Sequence, residues 1–263
     1  MSTLAYRLER SVIIHAPREN VFRFLTDTPR WASWWGAGST IDPRPGGSLL
    51  IRFPGGTEVS GEVIEVKPPE RMVFTYGFVK GDPIPPGSSR VTIRLDPHEL
   101  GTHLHVTHEF ANESARDDHV QGWRYQLALF SNVVADELHS GAASVIDAWF
   151  DVWAEPNERA RESGLRRIAS SELRFQDRFS ATSGLDDLLP HIAAAQFHMP
   201  GLRMRRAGDV RHCQGTALVD WVATGSDGEE RARGTNVFVL GPSGKIQSVT
   251  GFWALATSPA KSA

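Results

Sequence analysis

At 263 residues the chain has room for two domains of ordinary size, about 130 residues each. Its net charge of −3, without a long run of Lys or Arg, argues against nucleic acid as a partner. No apolar run approaches the roughly 18 residues of a membrane span, and the single cysteine, Cys213, leaves no pair for a disulfide or for a cysteine-based metal site. Charges lie between Met1 and Arg10, where a signal peptide would need an apolar core. With the lone thiol, that points to a cytoplasmic protein.

In chain order, Arg7 to His15 reads as a strand ended by Ala16-Pro17, and Pro17 suits the first turn of a helix. Val21, Phe22 and Leu25 give a short helix face, stopped at Asp27-Thr28-Pro29. Trp31, Trp34 and Trp35 follow and read as core. Gly46-Gly47 and Gly55-Gly56 mark turns around the alternating Leu49, Ile51 and Phe53. Three further alternating sets read as strands: Met72 to Phe78, Val91 to Leu95, and Leu104 to Phe110. The segment Gly81 to Ser89, rich in Pro and Gly, reads as a flexible connection able to act as a lid.

A helix from His119 carries Val120, Trp123, Leu127, Phe130, Val134 and Leu138 on one face. An antiparallel sheet covered by such a helix can enclose a cavity. Phe74, Tyr76, Val106 and Trp123, on converging faces, are its predicted ligand-binding wall. His108 shares the inward face and is expected to be a hydrogen-bonded cavity residue. His103 and His105 share the opposite face and read as an outward polar edge rather than a metal site, so no metal is expected.

A series of short motifs resembles a known family. Pro17-x-x-x-Val21-Phe22, Leu25-Thr26-Asp27, Trp34-Trp35, Gly46-Gly47, Gly61-Glu62-Val63, Pro68-Pro69-Glu70-Arg71, Gly101-Thr102 and His119-x-x-Gly122-Trp123 occur in this order. Together they are similar to the domain named after the activator of the heat-shock protein 90 ATPase, of the helix-grip, START-like superfamily. The resemblance covers about Leu4 to His139 and implies an apolar-ligand cavity. It does not imply chaperone binding, because the separate N-terminal domain of the eukaryotic co-chaperone and its Asn-Asn-Trp-His-Trp signature are missing.

Gly141 is expected to end the long helix in the left-handed conformation. Ser144, with Asp147 three residues on, resembles a capping box opening the next helix. That helix carries Ile146, Trp149, Phe150 and Trp153 on one face. The predicted domains are therefore residues 1–141 and 142–263. Gly164 to Ala169 reads as a short helix, and Leu173, Phe175, Asp177 and Phe179 alternate as one strand face. Asp177 on that face is either a desolvated carboxylate tuned to act as a base or a turn residue bonding backbone amides. Leu185 to Phe197 reads as a helix. Leu202 to Cys213, Thr216 to Ala223 and Arg231 to Leu240 read as strands, and the turn at 241–244 leads to a returning strand, Lys245 to Ala254. Thr257 to Ala263 reads as a disordered tail.

This half resembles the nuclear transport factor 2-like superfamily, in its SnoaL-like polyketide-cyclase branch. The carrying residues are Trp149-Phe150-Asp151-x-Trp153, Leu173-Arg174-Phe175-x-Asp177, Phe197-x-x-Pro200-Gly201, Gly234-Thr235-Asn236-Val237-Phe238, Gly244-Lys245-Ile246 and Gly251-Phe252-Trp253. The fold implied by both resemblances is α+β: a helix-grip, START-like domain followed by an α+β cone. Ketosteroid isomerase shares the cone and uses an Asp base with an oxyanion hole of Tyr and protonated Asp. Asp177 matches the base, Asn236 falls where the protonated Asp would be, and Trp149 about where the Tyr would be. Neither replacement is an acid. Trp149, Phe175 and Phe238 would line the apolar wall. Cones of this type often pair through the sheet, which implies a homodimer through the C-terminal domain.

Three readings stay open. The first is a cytoplasmic binding protein for apolar small molecules. The second is an isomerase or cyclase using Asp177 and Asn236 as catalytic residues. The third is a co-chaperone-type module that binds protein. No motif for ATP, nicotinamide or flavin occurs, so no cofactor is expected, and neither nucleic acid nor membrane is expected as a partner.

Overall fold

The computed structural model describes residues 3–255; the predicted tail from Thr257 to Ala263 lies outside them. The chain divides into two compact units, Met1–Glu137 and Leu138–Ala263. The fold is mixed α+β, with a seven-stranded sheet in each unit.

The first unit runs β1 (Tyr6–Ile14), α1 (Arg18–Thr26), α2 (Thr28–Trp35), β2 (Thr40–Ile41), β3 (Ser48–Arg52), β4 (Glu58–Lys67), β5 (Arg71–Phe78), β6 (Ser89–His98), β7 (Gly101–Phe110) and α3 (Glu113–Leu138). Its antiparallel sheet has the order β1-β7-β6-β5-β4-β3-β2. Strand β7 alternates strictly, sending Thr102, Leu104, Val106, His108 and Phe110 inward. Helix α3 buries Trp123, Leu127, Phe130 and Val134, residues at helical spacing. Asp27 both ends α1 and caps α2, where its side chain accepts from the Arg30 N–H.

Three expectations change here. Helix α3 starts at Glu113 rather than His119, because the Asn112 Oδ1 accepts the Ala115 N–H at 2.8 Å and caps a turn outside the apolar stripe. Strand β4 is an addition to the expected set, because Gly61 and a register shift between Val63 and Glu65 break its alternation. The segment from Gly81 to Ser89 is not a free lid. Ile84 is buried, its carbonyl accepts the Phe78 N–H at 2.8 Å, and the loop is tucked against β5.

The second unit comprises α4 (Ala142–Ala154), α5 (Glu158–Ile168), β8 (Ala169–Gln176), β9 (Ala181–Ser183), α6 (Leu185–His198), β10 (Arg203–Arg206), β11 (Arg211–Cys213), β12 (Thr216–Thr224), β13 (Glu230–Leu240) and β14 (Ile246–Leu255). The sheet order is β10-β12-β13-β14-β8-β9, with β11 also on β12. All its pairings are antiparallel except β14 with β8. Ile146, Trp149, Phe150, Leu165, Leu173, Ile192, Trp221 and Phe238 form its core.

Gly141 does not take the left-handed form: its φ is −89°, and it precedes α4 without a side-chain cap. The capping box at Ser144 is likewise absent, since the helix already begins at Ala142. Asp147 instead holds the Arg206 guanidinium in a two-pronged ion pair at 2.8 and 3.0 Å, tying α4 to β10. The short helix at Gly164 is the end of a longer one, α5, capped by the Asn157 side chain. The segment from Leu202 to Cys213 splits into β10 and β11.

Candidate functional site

The two units carry two aromatic clusters, and they differ in the space left between the rings. In the first, Trp31 meets Trp34 edge to face, and Trp35 lies tilted against both, with Trp34 on Trp35 at 4.2 Å between centroids. The Trp34 Nε1–H is satisfied by the Phe24 carbonyl, and the Trp34 carbonyl by the Gln126 side chain. Beside this cluster a cavity of about 240 Å³ lies between α3 and the sheet, lined by Trp35, Phe53, Tyr76, His119, Gly122, Trp123, Tyr125 and Gln126. It is mostly apolar, and the 68% exposed Tyr125 stands at its mouth.

Of the predicted wall, Tyr76 and Trp123 line this cavity, whereas Phe74 is buried against Trp31, at 5.9 Å between rings. Val106 is buried too and lies outside this cavity's lining. His108 is fully buried behind the wall. The Trp123 indole can only donate, so at 3.0 Å the His108 Nδ1 accepts from it. The proton of the neutral imidazole then sits on Nε2 and donates to Ser89 Oγ at 2.8 Å. The Ser89 hydroxyl in turn donates to the Tyr76 carbonyl at 2.7 Å. This chain fixes the Trp123 ring by a connected network. Burial, with His119 nearby, pushes the His108 imidazole well below the ordinary histidine value, so it stays neutral. Burial alone pushes the Tyr76 phenol up.

Gly122 sits inside α3, where glycine costs about 0.5–1 kcal/mol relative to alanine. No packing demand explains it: a Cβ built there meets nothing within 4 Å. The missing side chain leaves the cavity mouth open. Trp35, Phe53, His119, Gly122, Tyr125 and Gln126 line the cavity without being among the predicted site residues. The motif His119-x-x-Gly122-Trp123 was the available signal, since an unforced glycine in an amphipathic helix marks a place where bulk is excluded.

In the second unit, Trp149, Phe175, Asp177 and Asn236 do meet, but around a space of about 20 Å³. That holds roughly one water, whose share of the liquid is about 30 Å³. Trp153, Trp221 and Trp253 fill the rest. Phe238 is packed against Trp149 and Phe150 and is fully buried. A Cβ at Gly234 would collide with the Trp221 ring at 2.4 Å, so this glycine lets the indole lie on the strand backbone.

Asp177 lies just past β8, not on its face, and Phe179 is 61% exposed rather than inward. The Asp177 Oδ1 accepts the N–H groups of Phe179 and Ser180 at 2.8 and 2.9 Å. Its Oδ2 accepts from the Trp253 indole at 3.0 Å. Of the two readings of this residue, the turn carboxylate bonded to backbone amides describes these contacts. The Asn236 Oδ1 likewise accepts the Trp221 indole N–H at 2.9 Å. Among the described residues no group of three or more His, Cys, Asp or Glu side chains is placed to hold a metal. His105 points outward and faces Asp96 at 3.2 Å. No helix among the described residues is long and apolar enough to cross a membrane.

Comparison with known proteins bears on the first unit most directly. A family model described as activator of Hsp90 ATPase homolog 1-like protein matches residues 15–135, a stretch that contains most of the cavity-bearing unit. No curated protein matches the chain. Among solved structures, an AHSA1-like protein from Rhizobium etli is 30% identical over 49% of this chain and 81% of its own, with a TM-score of 0.41. A protein of the SnoaL-like family from Agrobacterium tumefaciens is 24% identical over 42% of this chain and 95% of its own, with a TM-score of 0.41. The Aha1 dimer from Colwellia psychrerythraea is 18% identical over 46% of this chain and 90% of its own, with a TM-score of 0.41.

Proposed function

We propose that this protein binds a small apolar molecule in the first unit, between α3 and the sheet. The observation that carries the reading is the 240 Å³ cavity walled by Trp35, Tyr76 and Trp123 and left open at Gly122. Support also comes from the neutral His108 network that holds Trp123 in place behind the wall. Binding rather than catalysis is favoured because the polar groups nominated for chemistry, Asp177 and Asn236, lie in the other unit with their oxygens taken by indole and amide N–H donors. A cytoplasmic setting belongs to the proposal and fits the lone exposed thiol of Cys213. Pairing of two copies through the C-terminal sheet belongs to it as well, and Phe252, 58% exposed on β14, supports that. Light scattering on the full chain tests the pairing.

The test of binding is dialysis of the full chain against naphthalene, compared with Gly122→Leu. The added side chain enters open space at the mouth, so the variant should stay folded and lose at least tenfold in affinity. Equal affinity in the two proteins would remove this cavity as the site.

A further inference from the structure

The polar atoms in the cavity wall narrow the ligand beyond "apolar". Resting on the binding site proposed above, we infer that the ligand is neutral, one or two rings in size, and carries one hydroxyl that donates to the His119 Nε2 and accepts from the Tyr76 phenol. The size follows from the volume: 240 Å³ is the share of roughly eight waters in the liquid. Charge follows from the lining, since no Lys, Arg, Asp or Glu stands among the described residues that line the cavity. An ionised carboxylate or ammonium would be desolvated there without a counterion.

The hydroxyl follows from the unsatisfied groups. His119 Nδ1 lies 2.6 Å from the Ala115 carbonyl. A carbonyl accepts, so Nδ1 carries the proton and Nε2 presents a lone pair. That Nε2 is buried and without a partner, as is the Nε1–H of Trp35 in the same wall. Burial also lowers the His119 pKa, which keeps the ring neutral and its Nε2 an acceptor. The Tyr76 ring lies 5.7 Å from that of His119 in the same wall, and its phenol can donate as well as accept. Native proteins rarely leave buried groups such as this Nε2 and this indole N–H unpaired. An acceptor, a phenol and an indole donor around one apolar space are complementary to a group that both donates and accepts. A hydroxyl does both, and a bare hydrocarbon does neither.

The experiment is equilibrium dialysis of the full chain at pH 7.5 against three probes of one shape: naphthalene, 2-naphthol and 2-naphthoate. Two hydrogen bonds of ordinary net worth should make 2-naphthol bind about tenfold more tightly than naphthalene. The naphthoate should bind at least tenfold more weakly than 2-naphthol. In His119→Phe and in Tyr76→Phe the ratio of naphthol to naphthalene affinity, measured within each variant, should shrink to roughly threefold. Tyr76→Phe removes a single oxygen, so it serves even if the His119 variant does not fold. Naphthalene binding as tightly as naphthol, or naphthoate binding tightest, would overturn the hydroxyl inference and leave the apolar cavity standing. If neither naphthalene nor naphthol binds, or if Gly122→Leu binds both as the parent does, the cavity reading fails and takes this inference with it.

Discussion

Both units wrap a curved sheet around aromatic side chains, yet the space at the aromatic cluster is about 240 Å³ in one and about 20 Å³ in the other. The difference lies in how many large rings converge on the point where a ligand would sit. In the cone, Trp149, Trp153, Trp221 and Trp253 arrive from α4, β12 and β14, and two of their N–H groups take up the oxygens of Asn236 and Asp177. In the grip, the tryptophans of α2 stack among themselves, and α3 sends in Trp123 beside a glycine. Aromatic supply alone therefore does not leave a cavity; what matters is whether a ring fills the space beside the small residue, as Trp221 does at Gly234 and no side chain does at Gly122.

The contrast is broken most sharply by emptying the filled unit. Trp221→Ala should cost about 3–5 kcal/mol, as truncation of a buried Trp does, and should leave naphthalene affinity in the first unit unchanged. Chemical denaturation and dialysis on one sample read both. If the loss is under about 1 kcal/mol, the cone is not packed as described.

His108→Leu tests the wall of the open unit. It orphans the Trp123 N–H and removes the donor to the Ser89 oxygen, whose own bond to the Tyr76 carbonyl remains, with an expected loss of about 1–3 kcal/mol. The pH dependence adds a sign. A histidine whose pKa is lowered by folding binds fewer protons in the native state than in the unfolded one. Its contribution to stability is intact above the unfolded value of 6.5 and is lost as pH falls below it. The limiting slope is about 1.4 kcal/mol per pH unit for each such group. His119, lowered in the same sense, adds to the trend. Urea midpoints between pH 7.5 and 5 should fall more steeply for the parent than for His108→Leu; identical slopes would mean that His108 is not kept neutral by burial.

Gly122→Leu sharpens the comparison by closing the open unit. Affinity for naphthalene should drop at least tenfold, about 1.4 kcal/mol, while stability rises by about 0.5–1 kcal/mol because the helix gains a side chain that it can hold without strain. Lower stability would mean that the glycine serves packing. On ligand affinity the smallest effect is expected from Asp177→Asn. The amide oxygen can still accept the N–H groups of Phe179 and Ser180, but its NH2 would meet the Trp253 indole N–H donor to donor, so stability should fall by about 1–3 kcal/mol while ligand affinity should not move. A large loss of probe binding in this variant would return attention to the second unit.

The α+β class, the strand sets and the helix faces were legible in the sequence because each follows from local periodicity. Strand β7 alternates without a break, and α3 repeats its apolar residues every three or four positions. The inward turn of His108 was legible for the same reason, whereas the meeting of Trp149, Phe175, Asp177 and Asn236 was implied by the family resemblance of the second half and not by periodicity. What those residues do on meeting was not legible. Whether Asp177 faces a void or two amides and an indole depends on Trp253, 76 residues away, and on a turn that ends β8 one residue before it. The open space beside Gly122 depends on rings from α2, β5 and α3 that stop short of one another. Periodicity assigns a side chain to a face; only the packed structure decides whether the volume in front of that face is filled, because volume is shared among segments far apart in the chain.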